Sequence, residues 1–161
     1  MFAELRRQIF IKCTKPEYEL AVGKIIHEQL RGNQDYIDNN IILNLSRDRY
    51  DKDTENELHI YLLKECKSIP DIEIKDFDHT AISKITINSH DENTCHVIKN
   101  IFDYLEILPE YRDGNIHVID SEITLSMSDN YKDSTISISF DEKCNSISSF
   151  IIRGENYDNK N

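Results

Sequence analysis

The sequence contains no tryptophan and has only four glycines and three prolines. So few glycines cannot furnish the loops that cradle phosphates, and neither a dinucleotide fingerprint nor a G-x-S-x-G elbow is present. Turns must instead rely on Asn, Asp and Ser. Long apolar runs are also missing, and none approaches the roughly 18 residues that a membrane-spanning helix needs. Residues 1–7 carry no apolar segment of the kind a secretory signal requires, so no signal is expected. Cations are scarce too: 19 Lys and Arg stand against 30 Asp and Glu, for a net charge of −11. That balance excludes the basic stripe of a protein gripping a nucleic-acid backbone. It attracts basic proteins, although an acidic surface can also serve solubility alone. Neither nucleic acid nor membrane is an expected partner.

Among the residues that are plentiful, isoleucine leads, with 25 copies. β-branched side chains pack well on a pleated surface and lose freedom in helices, so sheet is expected to carry the core. The four cysteines, Cys13, Cys66, Cys95 and Cys144, show no C-x-x-C spacing. They read as buried or free thiols in a reducing compartment, and the expected location is the cytoplasm.

Sliding the sequence against itself by 75 residues aligns 14–46 with 89–121 without a gap. Ten of these 33 pairs are identical, among them Val22/Val97, Ile26/Ile101, Tyr36/Tyr111, Asp38/Asp113 and Asn40/Asn115. Each stretch follows an apolar run, Ile9-Phe10-Ile11 or Ile85-Thr86-Ile87. Each opens with a capping-box pattern, Thr14-Lys15-Pro16-Glu17 or Ser89-His90-Asp91-Glu92. Helical periodicity follows, over Tyr18, Ala21, Val22, Ile25, Ile26 and Leu30 in the first copy. In the second it runs over Cys95, Ile98, Ile101, Phe102, Leu105 and Leu108. Gly32 and Pro109 are the expected stops. An acidic–Tyr–x–Asp turn then leads into a strand, with Asn39 and Gly114 at matched positions that suit positive φ.

Residues 57–65 fit helix or strand equally well. Their offset partners include the alternating run Thr135-Ile136-Ser137-Ile138-Ser139-Phe140, which favours strand. Final strands are expected near 72–75 and 146–153. The expected fold is therefore α+β: two tandem β-α-β-β-β units, 1–78 and 79–154, mostly antiparallel, with one helix per unit. A short polar joint lies near Asp78-His79-Thr80, and 155–161 form a polar, frayed tail.

Catalytic chemistry is hard to find. Residues 90–96 hold His90, Cys95 and His96, but neither a zinc spacing nor H-E-x-x-H occurs. Cys95 falls in the first turn of the second helix, where a thiol can be activated, yet it also lies on the apolar stripe. Asp51-x-Asp53-x-Glu55 hints at a calcium loop but lacks the glycine at the sixth position. No metal or cofactor is expected, and the chain is not expected to be an enzyme.

Acidic groups gather in three places. One comprises Asp48, Asp51, Asp53, Glu55 and Glu57; a second Asp71, Glu73, Asp76 and Asp78; a third Asp103, Glu106, Glu110 and Asp113. The third lies at a helix C-terminus, where negative charge opposes the dipole, which hints at use by a partner.

This profile is similar to that of small acidic bacterial toxin-immunity proteins, the antitoxin-type inhibitors. The likeness is one of character over the whole chain rather than of motif, so no residue role carries over. It implies a basic partner, a toxin domain such as a nuclease, blocked by acidic side chains. The expected contact residues are the first and third acidic clusters, with Tyr50 and Tyr111 as aromatic anchors. Two other readings are a non-inhibitory adaptor or phage-type accessory protein that pairs through an edge strand, and an enzyme with a dispersed site between the halves.

Overall fold

The computed structural model describes residues 5–49, 54–75, 77–78, 80–89, 108–122, 134–141, 144, 150–152 and 154–156. It is an α+β fold built on a six-stranded antiparallel sheet. The chain runs β1 (Leu5–Cys13), α1 (Pro16–Leu30), α2 (Gln34–Ile37), β2 (Ile41–Asn44), a 3-10 turn (Ser46–Asp48), β3 (Glu57–Leu63), β4 (Ser68–Ile69) and β5 (Ile72–Ile74). It continues through β6 (Ile82–Ser89), α3 (Pro109–Arg112), β7 (Ile116–Glu122), β8 (Ser134–Phe140), β9 (Phe150–Ile152) and β10 (Glu155–Asn156). The strand order is β2-β3-β1-β6-β8-β7, and two-stranded ribbons join β5 to β9 and β4 to β10.

Alternation along each strand decides its faces. In β1, Ile9, Ile11 and Cys13 are buried, while Gln8, Phe10 and Lys12 face the other way and are only partly covered. Register carries this pattern across the sheet. Ile9 pairs with Ile60 and Ile87, and Ile11 with Leu58 and Ile85. Ile138, on β8, continues the buried face beside Ile85. Helix α1 lies over it with Val22, Ile26 and Leu30 inward, and β5 adds Ile72 and Ile74. Gln29 ties helix to ribbon by a two-way amide bridge, accepting from the Glu73 N–H at 2.8 Å and donating to the Glu73 carbonyl.

The expected stripe on α1 forms as predicted in its centre. Its start differs. Lys15 is the N-cap and makes no side-chain cap bond. Thr14 turns its hydroxyl to the Thr80 carbonyl at 2.9 Å, because the Thr14 N–H already bonds the Ala81 carbonyl across the strands. The capping box is therefore absent here, while the pattern at 89–92 and the second helix lie outside the described residues. Helix α1 ends at Leu30, with no left-handed glycine at Gly32. Pro109 opens α3, and the helix it was expected to end lies outside the described residues.

Residues 57–63 are strand, as the offset argued. Asn39 (φ 63°) and Gly114 (φ 80°) both adopt the left-handed conformation expected at their matched positions. Each precedes an asparagine whose carbonyl has two donors. Asn40 accepts from the Leu63 N–H and the Cys66 thiol, and Asn115 from the Asp141 N–H and the Cys144 thiol. Glu155 and Asn156, expected in a frayed tail, instead pair with Ile69 and Ser68.

That last pairing depends on Gly154. A Cβ there would sit 1.8 Å from the Ile69 carbonyl oxygen. Gly154→Ala is expected to lower unfolding stability by about 3 kcal/mol, a typical overpacking cost. Gly32, with nothing within 4 Å of its virtual Cβ and no positive φ, should accept Ala with no loss. Urea denaturation of the two variants checks the contrast.

Candidate functional site: a pinned acidic loop and a polar chain on β3

The acidic segment 48–57 connects the 3-10 turn to β3. Arg49 makes most of the contacts that fix its base. The guanidinium donates to the Asn44 side-chain oxygen at 2.7 Å and to the Asn44 carbonyl at 3.3 Å. It also donates to the Thr54 hydroxyl at 3.1 Å, the Thr54 carbonyl at 2.9 Å and the Glu57 carbonyl. All these acceptors are neutral oxygens. The five-donor fork of arginine suits this task in a way a lysine ammonium does not.

Two further contacts hold the base. Glu19 reaches from α1 to the start of the 3-10 turn and accepts from both the Ser46 N–H (2.6 Å) and the Ser46 hydroxyl. Glu19 is 4% exposed, a buried carboxylate hydrogen-bonded rather than ion-paired in these contacts. On the far side, Lys12 donates to the Glu55 carbonyl at 2.9 Å, and Asn56 takes a positive φ of 62°.

Asp48 and Glu55 are exposed, and among the described residues no ion pair involves either. Tyr50, Asp51 and Asp53 lie outside the described residues, as do Asp103 and Glu106. Glu57 belongs to the strand rather than the loop tip. The third cluster places Glu110 on α3 and Asp113 at its C-cap. Tyr111 packs against the hydrophobic core, so much of its ring is already used inside the fold. The described part of the second cluster is engaged internally. Asp71 accepts from the Gly154 N–H at 2.6 Å, Glu73 pairs with Lys75 at 2.9 Å, and Asp78 accepts from the Tyr18 and Thr80 hydroxyls at 2.8 Å.

Sequence reasoning missed a chain of polar groups on the face of β3 opposite α1. His59 Nε2 lies 2.7 Å from Glu57 Oε1, and Nδ1 lies 2.8 Å from the Tyr61 hydroxyl. The His59 hydrogen bond holds the Glu57 carboxyl below its usual range, and burial raises the Tyr61 hydroxyl. Carboxylate, imidazole and hydroxyl in line resemble a catalytic relay. Here both ring nitrogens are occupied, the imidazole stacks on Phe10 at 4.1 Å between centroids, and the residue is 6% exposed. The arrangement is a small packed cluster on the face of the sheet opposite Leu58, Ile60 and Leu62. Positions 57, 59 and 61 share one face of a strand, and that spacing was the available signal.

Three cysteines are buried and free. Burial, with the Glu19 carboxylate nearby, pushes the Cys13 thiol up to about 12. Burial and Asp35 push Cys66 up to about 11, and burial also raises Cys144. Thiols held neutral in this way are poor nucleophiles and poor metal ligands. Cys95, the residue with the most suggestive position, lies outside the described residues. Among the described residues no group of three His, Cys, Asp or Glu side chains could hold a metal ion. No described helix is long and apolar enough to cross a membrane.

No family model matches the chain, and comparisons with curated proteins and with solved structures gave no match.

The thiols make a prediction about pH. A folded-state pKa above the unfolded one means the folded chain holds more protons, so stability falls as pH rises. The contribution of Cys13 and Cys66 is complete below their ordinary value of 9.0 and is lost as pH climbs toward about 12 and about 11. Urea unfolding should show a decline above pH 9 that is shallower in Cys13→Ala. An equal slope in the variant would contradict this account of Cys13.

Proposed function

We propose that the chain is a non-catalytic inhibitory binding protein of the immunity type, which captures a basic protein through the acidic loop 48–57. The partner class is a toxin domain such as a nuclease. The observation that supports this most directly is the use made of Arg49. The loop holds five acidic residues, Asp48, Asp51, Asp53, Glu55 and Glu57, against Arg49 and Lys52. Arg49 spends its donors on backbone carbonyls, an amide oxygen and a hydroxyl rather than on the loop's own acids. Glu57 is bound to His59, but the described loop acids Asp48 and Glu55 stay exposed while the base of the loop is held, and preorganisation lowers the ordering cost of binding. Charge complementarity then speeds encounter with a basic surface. The reading also takes Glu110 and Asp113, on and just after α3, as contacts for the same partner, together with Asp103, Glu106 and Tyr50, which lie outside the described residues.

On this reading the halves 1–78 and 79–154 are copies of one β-α-β-β-β unit. The strand order supports that view, since exchanging β1 with β6, β2 with β7 and β3 with β8 leaves β2-β3-β1-β6-β8-β7 unchanged. The paired turns at Asn39 and Gly114 support it as well. Among the described residues the loop base pinned by Arg49 belongs to the first half, and on this reading that half binds while the other completes the sheet.

The test uses immobilised protein to capture partners from extracts of its source cells, with salt washes and mass spectrometry. Wild type should retain a basic protein that high salt releases. The triple variant Asp51→Lys, Asp53→Lys, Glu55→Lys should retain at least about tenfold less while keeping its circular dichroism. Equal retention by the variant would refute the loop assignment. A captured enzyme that stays fully active when bound would exclude inhibition and favour the adaptor reading.

A further inference from the structure

One groove in this acidic protein has the opposite character. It runs between α1 and β2 with a volume of about 350 Å³. Leu20, Leu43 and Leu45 supply apolar lining, and Lys24, His27 and Arg47 supply basic groups. Leu20 is 46% exposed, an unusual position for a leucine on an otherwise amphipathic helix. Gly23 lies in the groove wall. A Cβ there would meet the Leu45 side chain at 3.0 Å, so the glycine lets the strand-end residues close against the helix. His27 is held by the Tyr36 hydroxyl at 2.8 Å from Nδ1.

The groove thus calls for an occupant that brings negative charge, and the chain carries a matching one. Asp48 lines the groove and also begins the acidic loop, so groove and loop are neighbours on one surface. A surface with adjacent complementary patches is suited to a two-fold arrangement, in which each copy offers its loop to the other's groove. We propose that the groove receives the acidic loop of a second copy of this chain, forming a reciprocal and salt-sensitive dimer. The loop that dimerises is then the loop offered to a basic partner, so the two complexes exclude each other. The dimer does not require that partner to exist: its failure leaves the capture experiment above untouched, and the reverse also holds.

Sedimentation velocity over a concentration series tests the proposal. The wild-type dimer should weaken by about tenfold or more between about 0.05 M and about 0.5 M NaCl, as screening shortens the reach of surface charge. The groove variant Lys24→Glu, Arg47→Glu should be monomeric, and so should the loop variant Asp51→Lys, Asp53→Lys. A mixture of the two should restore the dimer, because each loop then meets a groove of opposite sign. Lys24 and Arg47 are exposed, so folding should be unaffected, and circular dichroism verifies it. As a second probe that adds no charge, Leu20→Gln should weaken the dimer without reversing its salt dependence. Wild type that stays monomeric at every concentration overturns the proposal. A groove variant that dimerises like wild type, or a mixture that stays monomeric, overturns it too, and would leave the groove to a different anionic occupant.

Discussion

The antiparallel pairing of β1 with β6 is the contact on which the rest of the structure depends. It joins the two halves of the chain into one sheet, with Ile9 opposite Ile87, Phe10 opposite Thr86 and Ile11 opposite Ile85. A slip of one residue would send the isoleucines to solvent and bring Gln8, Lys12 and Asn88 into the core. The buried face, continuous from Ile60 through Ile9 and Ile87, therefore enforces the register. The pairing of β5 with β9 repeats the arrangement at smaller scale, with Glu73 opposite Ile151. Distant chain segments thus meet in the sheet and again in both ribbons, β5–β9 and β4–β10.

That division of faces also sets what is left for function. One face is covered by α1 and the β5–β9 ribbon. The other carries Gln8, Phe10 and Lys12 of β1, the Glu57–His59–Tyr61 chain and the hydroxyl and amide groups of Thr86, Asn88 and Ser137. Cross-strand bonds there include Asn88 to Gln8 at 3.2 Å. The acidic segment leads into the start of β3 at Glu57. Its base is tied to α1 through Glu19, to β2 through Arg49 and to β1 through Lys12. A loop fixed to three elements of the core can present charge without a large ordering cost, and this is the physical basis of the binding reading.

Much of the local structure was legible in the sequence, because it depends on short-range chemistry. Asn39 and Gly114 stood out as left-handed turn residues from their matched positions. The offset also resolved 57–63 as strand where hydrophobic pattern alone did not. What escaped depends on contacts distant in sequence. Thr14 was read as a helix cap, but cross-strand pairing to Ala81 drew its hydroxyl away. Glu19, in the first turn of α1, is buried against Ser46, 27 residues on, and no local pattern marks that contact. Arg7, a cation on the core side of β1, is 1% exposed and gave no sign of burial in the pattern. The acids of the loop were visible as a cluster, whereas the role of Arg49 was not, since its acceptors are mostly backbone oxygens that no side-chain motif records.

If the β1–β6 seam holds the halves as one cooperative unit, they should open together. Native-state amide hydrogen exchange at increasing denaturant measures this directly. The hydrogen-bonded amides of β1, β3, β6 and β8 should merge into a single isotherm equal to the global unfolding free energy. Amides of β6 and β8 that exchange through a separate, lower-energy opening, with β1 and β3 still protected, would contradict the account and make the halves independent domains.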